Sequence, residues 1–238
     1  MKKIFIDAGA NVGQSIAAWL NYINKTRGDI KQWEIHSFEA SRQLWETLLE
    51  NTRRVVDESP YDASELDITF YNKAVWISND GVAFHDMGNE SSSTDNRKAG
   101  VRKMKNIAIN IQSVDLSEFI KNYSMDDMIV LKMDIEGGEY KVIPHLYETG
   151  ALKYVDICLL EIHACKMFGE GISIEMDYDL IKMLAECDVE VYTWDAKRIM
   201  LEAHMSDDGN NIPNLRRVSL DSDEVRREWA KQNRYEWK

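Results

Sequence analysis

The chain has 238 residues and a formal net charge of −12, with 44% hydrophobic and 29% charged residues. That length and balance suit one α/β domain with a sizeable core. The negative charge excludes an extensive nucleic-acid surface, which needs clustered Lys and Arg against phosphates. No apolar run approaches the roughly 20 residues of a membrane span, so no membrane association is expected. Three cysteines, Cys158, Cys165 and Cys187, form an odd set without metal-ligand spacing. They point to reduced thiols and a cytoplasmic setting. The apolar stretch before Asp7 is too short for a signal peptide.

Residues 3–7 read as a buried strand, an apolar run closed by Asp7 and a glycine turn, Gly9 to Gly13. From Gly13 onward, Ile16, Leu20 and Ile23 recur at helical spacing. Because the first strand lies so near the first residue, no substrate-covering segment is expected ahead of it. A second strand spans 34–38 and ends at Glu39. Ser41 then caps a helix whose apolar face is Leu44, Trp45 and Leu48. A third strand reads at 68–71, and Asn79-Asp80-Gly81 is a turn. Residues 86–100 are the most polar stretch and read as a mobile loop or a lid. Arg97, Lys98, Arg102, Lys103 and Lys105 make a local basic run, read as a solvated face before a binding patch.

A short helix around Leu116, Phe119 and Ile120 precedes a strand at 129–133, closed by Asp134. Gly137-Gly138 leads to a helix over 140–147. Another buried strand, "VDICLLEIH", ends in Glu161 and His163. A helix over 176–187, a strand at 189–193 and a last strand at 217–220 follow. Residues 221–238 read as a charged helix. Strands and helices alternate with no repeat or linker, so residues 1–238 are read as one doubly wound domain. Its sheet is mostly parallel, with helices on both faces. Such sheets bind ligands beyond the carboxyl ends of their strands, where the strand order reverses. Asp7, Glu39, Asp134, Glu161 and His163 are expected to converge there.

Gly9 and Gly13 allow a sharp turn and close approach of a ligand, and the helix behind them offers unpaired N–H groups. An acid two residues before the first glycine repels a pyrophosphate and attracts an ammonium. Neither G-x-G-x-x-G nor a triphosphate-binding loop is present. Glu39, ending the second strand, stands where an acid accepts from ribose hydroxyls. S-adenosylmethionine combines an ammonium, a carboxylate and a ribose.

Five stretches, "FIDAGANVGQS", "IHSFEAS", "YNKAVWISNDG", "VDLSEFI" and "IVLKMDIEGGEYKVI", occur in that order. Together they resemble the FkbM-type family of class I S-adenosylmethionine-dependent methyltransferases, from about Phe5 to His163. The resemblance implies a Rossmann-like, seven-stranded sheet and methyl transfer, usually to oxygen. By motif position it implies that Asp7, Gly9, Asn11, Gly13 and Gln14 line the methionine end of the cofactor. Glu39 holds the ribose, Ala40 and Ser41 border the adenosine, Lys73 and Ala74 lie near the adenine, and Asp134 closes the methionine side. The acceptor is not implied. A sugar, a glycan precursor or a small hydroxylated metabolite fits the composition.

Methyl transfer mainly requires alignment and exclusion of water, and a general base adds to the rate when the acceptor is a hydroxyl. The catalytic candidates are Asp134, His163 and Lys132. Lys132 and Asp134 share one strand face, as do Glu161 and His163. Lys132 either tunes a neighbouring base or, depressed, acts as one. No metal site is assigned. Mg²⁺ between Asp134 and Glu161 or His163 is the lesser reading. Two rivals stay open: a nucleotide-dependent oxidoreductase on a similar sheet, and a methyltransferase-like binding protein without turnover.

Overall fold

The computed structural model describes residues 1–26, 29–89, 91–97, 101, 108–167 and 173–194. Six parallel strands form the central sheet: β1 (Lys3–Ala8), β2 (Trp33–Phe38), β3 (Asp67–Tyr71), β8 (Met128–Met133), β9 (Ile157–Leu160) and β10 (Glu190–Thr193). Their spatial order is β10-β9-β8-β1-β2-β3. The order reverses between β1 and β8, which pair in parallel from Lys3 opposite Met128 to Ala8 opposite Met133. The strand expected at 217–220, the seventh of the sheet, and the helix expected at 221–238 lie outside the described residues.

Alternation along β1 explains why both faces are covered. Ile4 and Ile6 join one core with Ile129, Leu131, Val142 and Leu184. Phe5 joins the other, with Ile16, Trp19, Ile35 and Val130. Helices α1 (Gln14–Lys25) and α2 (Trp45–Glu58) lie on the Phe5 side, and α4 (Glu139–Glu148) and α5 (Ile174–Glu186) on the Ile4 side. Phe5 stacks on Trp19 at 4.3 Å between ring centres, and Trp19 meets the edge of Trp33 at 4.8 Å. Such aromatic packing adds to the burial itself. No helix among the described residues is long and apolar enough to cross a membrane.

Beside the main sheet, short pairs escape a sequence reading because three residues carry almost no periodic signal. β4 (Ala74–Trp76) pairs in parallel with β7 (Ser113–Asp115), and β5 (Val82–Phe84) runs antiparallel to β6 (Ile109–Ile111). A short α3 (Leu116–Ile120) follows β7, capped by the Asp115 carboxylate accepting from Ser117 and Glu118 N–H.

Two expectations change. The helix expected from Ser41 begins at Trp45 without a side-chain cap, because Ser41 Oγ donates instead to Asp86 Oδ1 at 2.6 Å. The described part of 86–100 is tied down rather than mobile. His85 and Ser93 exchange backbone hydrogen bonds of 2.8 and 3.2 Å, and buried Ser93 donates its Oγ to the Glu136 carbonyl at 2.6 Å. Arg97 of the basic run pairs with Asp95 at 2.6 Å, and Lys98, Arg102, Lys103 and Lys105 lie outside the described residues.

Candidate active site

A cavity of ≈ 300 Å³ opens at the carboxyl ends of the strands, beside the point where their order reverses. The loop from β1 to α1 forms its floor. Three residues of that loop are left-handed: Gly9 at φ 86°, Asn11 at 51° and Gly13 at 93°. Glycine and asparagine bear that conformation at least cost. A Cβ on Gly9 would fall 1.9 Å from the Asp134 carbonyl oxygen, so glycine here lets the ends of β1 and β8 meet. The Gly9 and Ala10 N–H groups both donate to Phe38 O, fastening the loop to the end of β2.

Glu39 follows directly and is buried. Its Oε2 accepts from Asn11 N–H at 2.7 Å and its Oε1 from Ser41 N–H at 2.6 Å. Each oxygen keeps a second lone pair. Burial pushes its carboxyl up to about 7, against the two backbone donors, which lower it. Ala40, Lys73, Ala74, Leu44 and Phe84 line the wall on this side, and Gly9, Asn11, Gln14 and Ser15 the floor.

Asp7 and Gly13 lie behind the wall. Asp7 is wholly buried, accepting from Ser15 Oγ at 2.5 Å and Ser37 Oγ at 3.3 Å, with Lys132 Nζ 3.4 Å away. The ammonium expected beside it is therefore this internal lysine rather than a ligand. Gly13 faces Thr52, where a Cβ would lie 3.2 Å from Oγ1. Ser41 positions Glu39 and Asp86 without lining the cavity.

Lys132 enters the cavity wall from β8. Its ammonium donates to Gly9 O at 2.5 Å and stands 3.7 Å from Asp134 Oδ2, beneath the Trp194 ring. Burial pulls its pKa down, but Asp7 and Asp134 outweigh that and hold it above the usual lysine value. It stays charged at neutral pH, which removes the reading of Lys132 as a depressed base. Asp134 is pushed up to about 6, by burial and by Glu161, against the pull of Lys132 and His163.

The far wall carries Asp134, Glu136, Glu161 and Lys166, with Ser92 and Thr94 from the polar loop. His163 sits behind them, wholly buried. Its Nδ1 is 3.1 Å from Glu139 Oε1, and its Nε2 is 3.3 to 3.6 Å from Glu161, Glu136 and Asp134. The pairs expected on shared strand faces, Lys132 with Asp134 and Glu161 with His163, are thus brought together. The Tyr140 hydroxyl accepts from the N–H groups of His163 and Ala164 and donates to Asp177, fixing the segment after β9. Lys166, Trp194, Ser92 and Thr94 carried no sequence signal beyond polarity or a strand end.

A family model described as the methyltransferase FkbM domain matches residues 7–191. The chain belongs to the FkbM methyltransferase family. No curated protein and no solved structure matches it in comparisons of that kind. A methyltransferase of this family implies a cofactor of the S-adenosylmethionine type, and the donor set of the cavity fits one. A carboxylate with free lone pairs stands at the end of β2, and apolar residues lie beside it for a flat base. Next to these is a floor of backbone and small side chains, at the uncapped start of α1.

Proposed function

We propose that this FkbM-family methyltransferase binds S-adenosylmethionine in the cavity and methylates a hydroxyl of a sugar, a glycan or a small metabolite. The observation that carries the reading is Glu39: a buried carboxylate at the end of β2, fixed by two backbone donors and lining a cavity beside the strand-order reversal. In this reading Glu39 accepts from the ribose hydroxyls, and Ala40, Lys73 and Ala74 border the base. Gly9, Asn11 and Gln14 meet the methionine end. Ser41 serves by orienting Glu39, and Asp7 by neutralising Lys132, which in turn holds the loop through the Gly9 carbonyl.

The cofactor supplies a methyl group already activated on a sulfonium. What remains for the chain is to align an acceptor and exclude water. Asp134, Glu136 and Glu161 form the acceptor side. An Asp134 carboxylate raised to about 6 is ionised at neutral pH yet close enough to it to take a hydroxyl proton. His163 acts through these carboxylates, since it does not reach the cavity surface. A cytoplasmic setting and a small hydroxylated partner, rather than nucleic acid, agree with reduced thiols and the charge of −12.

The test is incubation with methyl-labelled cofactor and a panel of sugars, glycans and cell metabolites, followed by mass spectrometry. Label on an acceptor oxygen is the expected result. Cofactor binding without transfer to any acceptor would favour a binding protein, and NAD binding in place of S-adenosylmethionine would favour an oxidoreductase.

A further inference from the structure

We propose that Asp134, Glu136 and His163 form a divalent-cation site on the acceptor side of the cavity, with Mn²⁺ the best-matched ion. Their donor atoms all lie within 4.8 Å of one another. An octahedral ion with bonds of ~2.1 Å separates adjacent donors by about 3.0 Å and opposite donors by about 4.2 Å. The separations from His163 Nε2 are 3.6 Å to Asp134 Oδ1 and 3.4 Å to Glu136 Oε2, so a small contraction closes the set around one ion.

The surroundings of these ligands point the same way independently. Histidines that bind metals give their other ring N–H to a carboxylate, which fixes the tautomer. Glu139, wholly buried, does this for His163: its Oε1 is 3.1 Å from Nδ1. A carboxylate only accepts, so Nδ1 donates to Glu139, and the ion would take the place of the proton that Nε2 shares with Glu161, 3.3 Å away. The same Glu139 accepts from Ile135 N–H at 2.7 Å and Gly137 N–H at 2.8 Å, gripping the backbone on both sides of Glu136. One buried residue thus orients two of the three ligands. Glu136 itself is held at φ 57°, a conformation disfavoured for glutamate, with its carbonyl accepting from Ser93 Oγ.

Charge balance supports a cation. Among the described residues Asp7, Asp134, Glu136, Glu139 and Glu161 cluster around two ammonium groups, Lys132 and Lys166. With the imidazole protonated the cluster is two charges negative, and exchanging its Nε2 proton for a divalent ion leaves it near neutrality. Two carboxylates and one imidazole suit Mn²⁺, since Mg²⁺ prefers oxygen alone and Zn²⁺ prefers nitrogen and sulfur in a tetrahedron. Glu161, drawn to Lys166 at 3.0 Å, borders the site. Asp134 and Glu136 also line the cavity, so the remaining coordination positions face the space where a hydroxyl acceptor enters. This rests on the methyl-transfer reading for its role but not for its existence, and it turns Asp134 from a base into a ligand.

The experiment titrates the full chain with Mn²⁺, reading free ion by its electron paramagnetic resonance signal, with Mg²⁺ as competitor. S-adenosylmethionine binding is measured separately, with and without chelator. One Mn²⁺ per chain is expected. Glu136→Gln and Glu139→Gln, each with a native circular dichroism spectrum, should weaken it roughly 10–100-fold. No Mn²⁺ binding, or binding unaltered in both variants, overturns the site even if the cofactor binds. Mn²⁺ binding without cofactor binding leaves the site standing and sinks the methyl-transfer reading instead. Displacement of Mn²⁺ by equimolar Mg²⁺ overturns the choice of ion.

Discussion

Replacing Gly9 by alanine tests whether the site depends on contact between the ends of β1 and β8. The new Cβ would stand 1.9 Å from the Asp134 carbonyl oxygen and 2.9 Å from its carbon. An ordinary contact needs about 1.5 Å more, and the Asp134 N–H to Ala8 carbonyl bond of 3.1 Å lies in the path of that shift. A left-handed alanine costs about 1 kcal/mol, the strained packing about 1–3 and the lost hydrogen bond about 1, or roughly 3–5 kcal/mol together. Gly150→Ala is the control. Its φ is 76°, and nothing lies within 4 Å of its added Cβ, so only the backbone cost of about 1 kcal/mol applies. Urea unfolding followed by tryptophan fluorescence gives both values by linear extrapolation. The reasoning is refuted if Gly9→Ala loses no more stability than Gly150→Ala.

Lys132→Met leaves Asp7 buried without its 3.4 Å partner and should cost about 3–5 kcal/mol. Adding Asp7→Asn should recover at least about 1 kcal/mol, and strictly additive losses in a urea double-mutant cycle would contradict the ion pair. Glu39 gives opposite pH signatures for stability and for binding. Its carboxyl is raised from 4.5 to about 7, so its contribution to stability is full below pH 4.5 and lost as pH rises through 7, about 3 kcal/mol in all. Glu39→Gln should therefore flatten the loss of stability between pH 5 and pH 8 in urea titrations. The ionised form is the one that accepts from ribose, so cofactor affinity should instead fall up to about tenfold per pH unit below 7. Calorimetry at several pH values checks this, and a flat profile would count against Glu39 as the ribose acceptor.

The main sheet was legible because parallel, doubly covered strands are continuous apolar runs ended by polar residues, as in Ile4-Phe5-Ile6-Asp7 and Ile129-Val130-Leu131. Glu39 and Asp134 were legible for the same reason: each follows a strand end, and strand ends converge at the order reversal. Asp7 follows the same rule but fell on the wrong side of it. Period two sent its side chain inward toward Lys132, a partner 125 residues away that spacing cannot reveal. Ser41 looked like a helix cap because its competitor, Asp86, lies 45 residues away, beyond what local spacing can reveal. The polar stretch after His85 read as mobile because composition reports solubility, while Ser93 bonds to both His85 and Glu136 across the fold. Glu139 stands in the first turn of its helix, and its contact with His163, 24 residues on, depends on tertiary packing that local spacing does not show.

The most direct measurement is calorimetric titration of the chain with S-adenosylmethionine, beside NAD, in the wild type and in Glu39→Gln. One site per chain for S-adenosylmethionine is predicted, weakened roughly tenfold or more in the variant, as expected for loss of charge-assisted hydrogen bonds. NAD should give no binding heat. Unchanged affinity in Glu39→Gln, or NAD binding in place of S-adenosylmethionine, would contradict the cofactor site described.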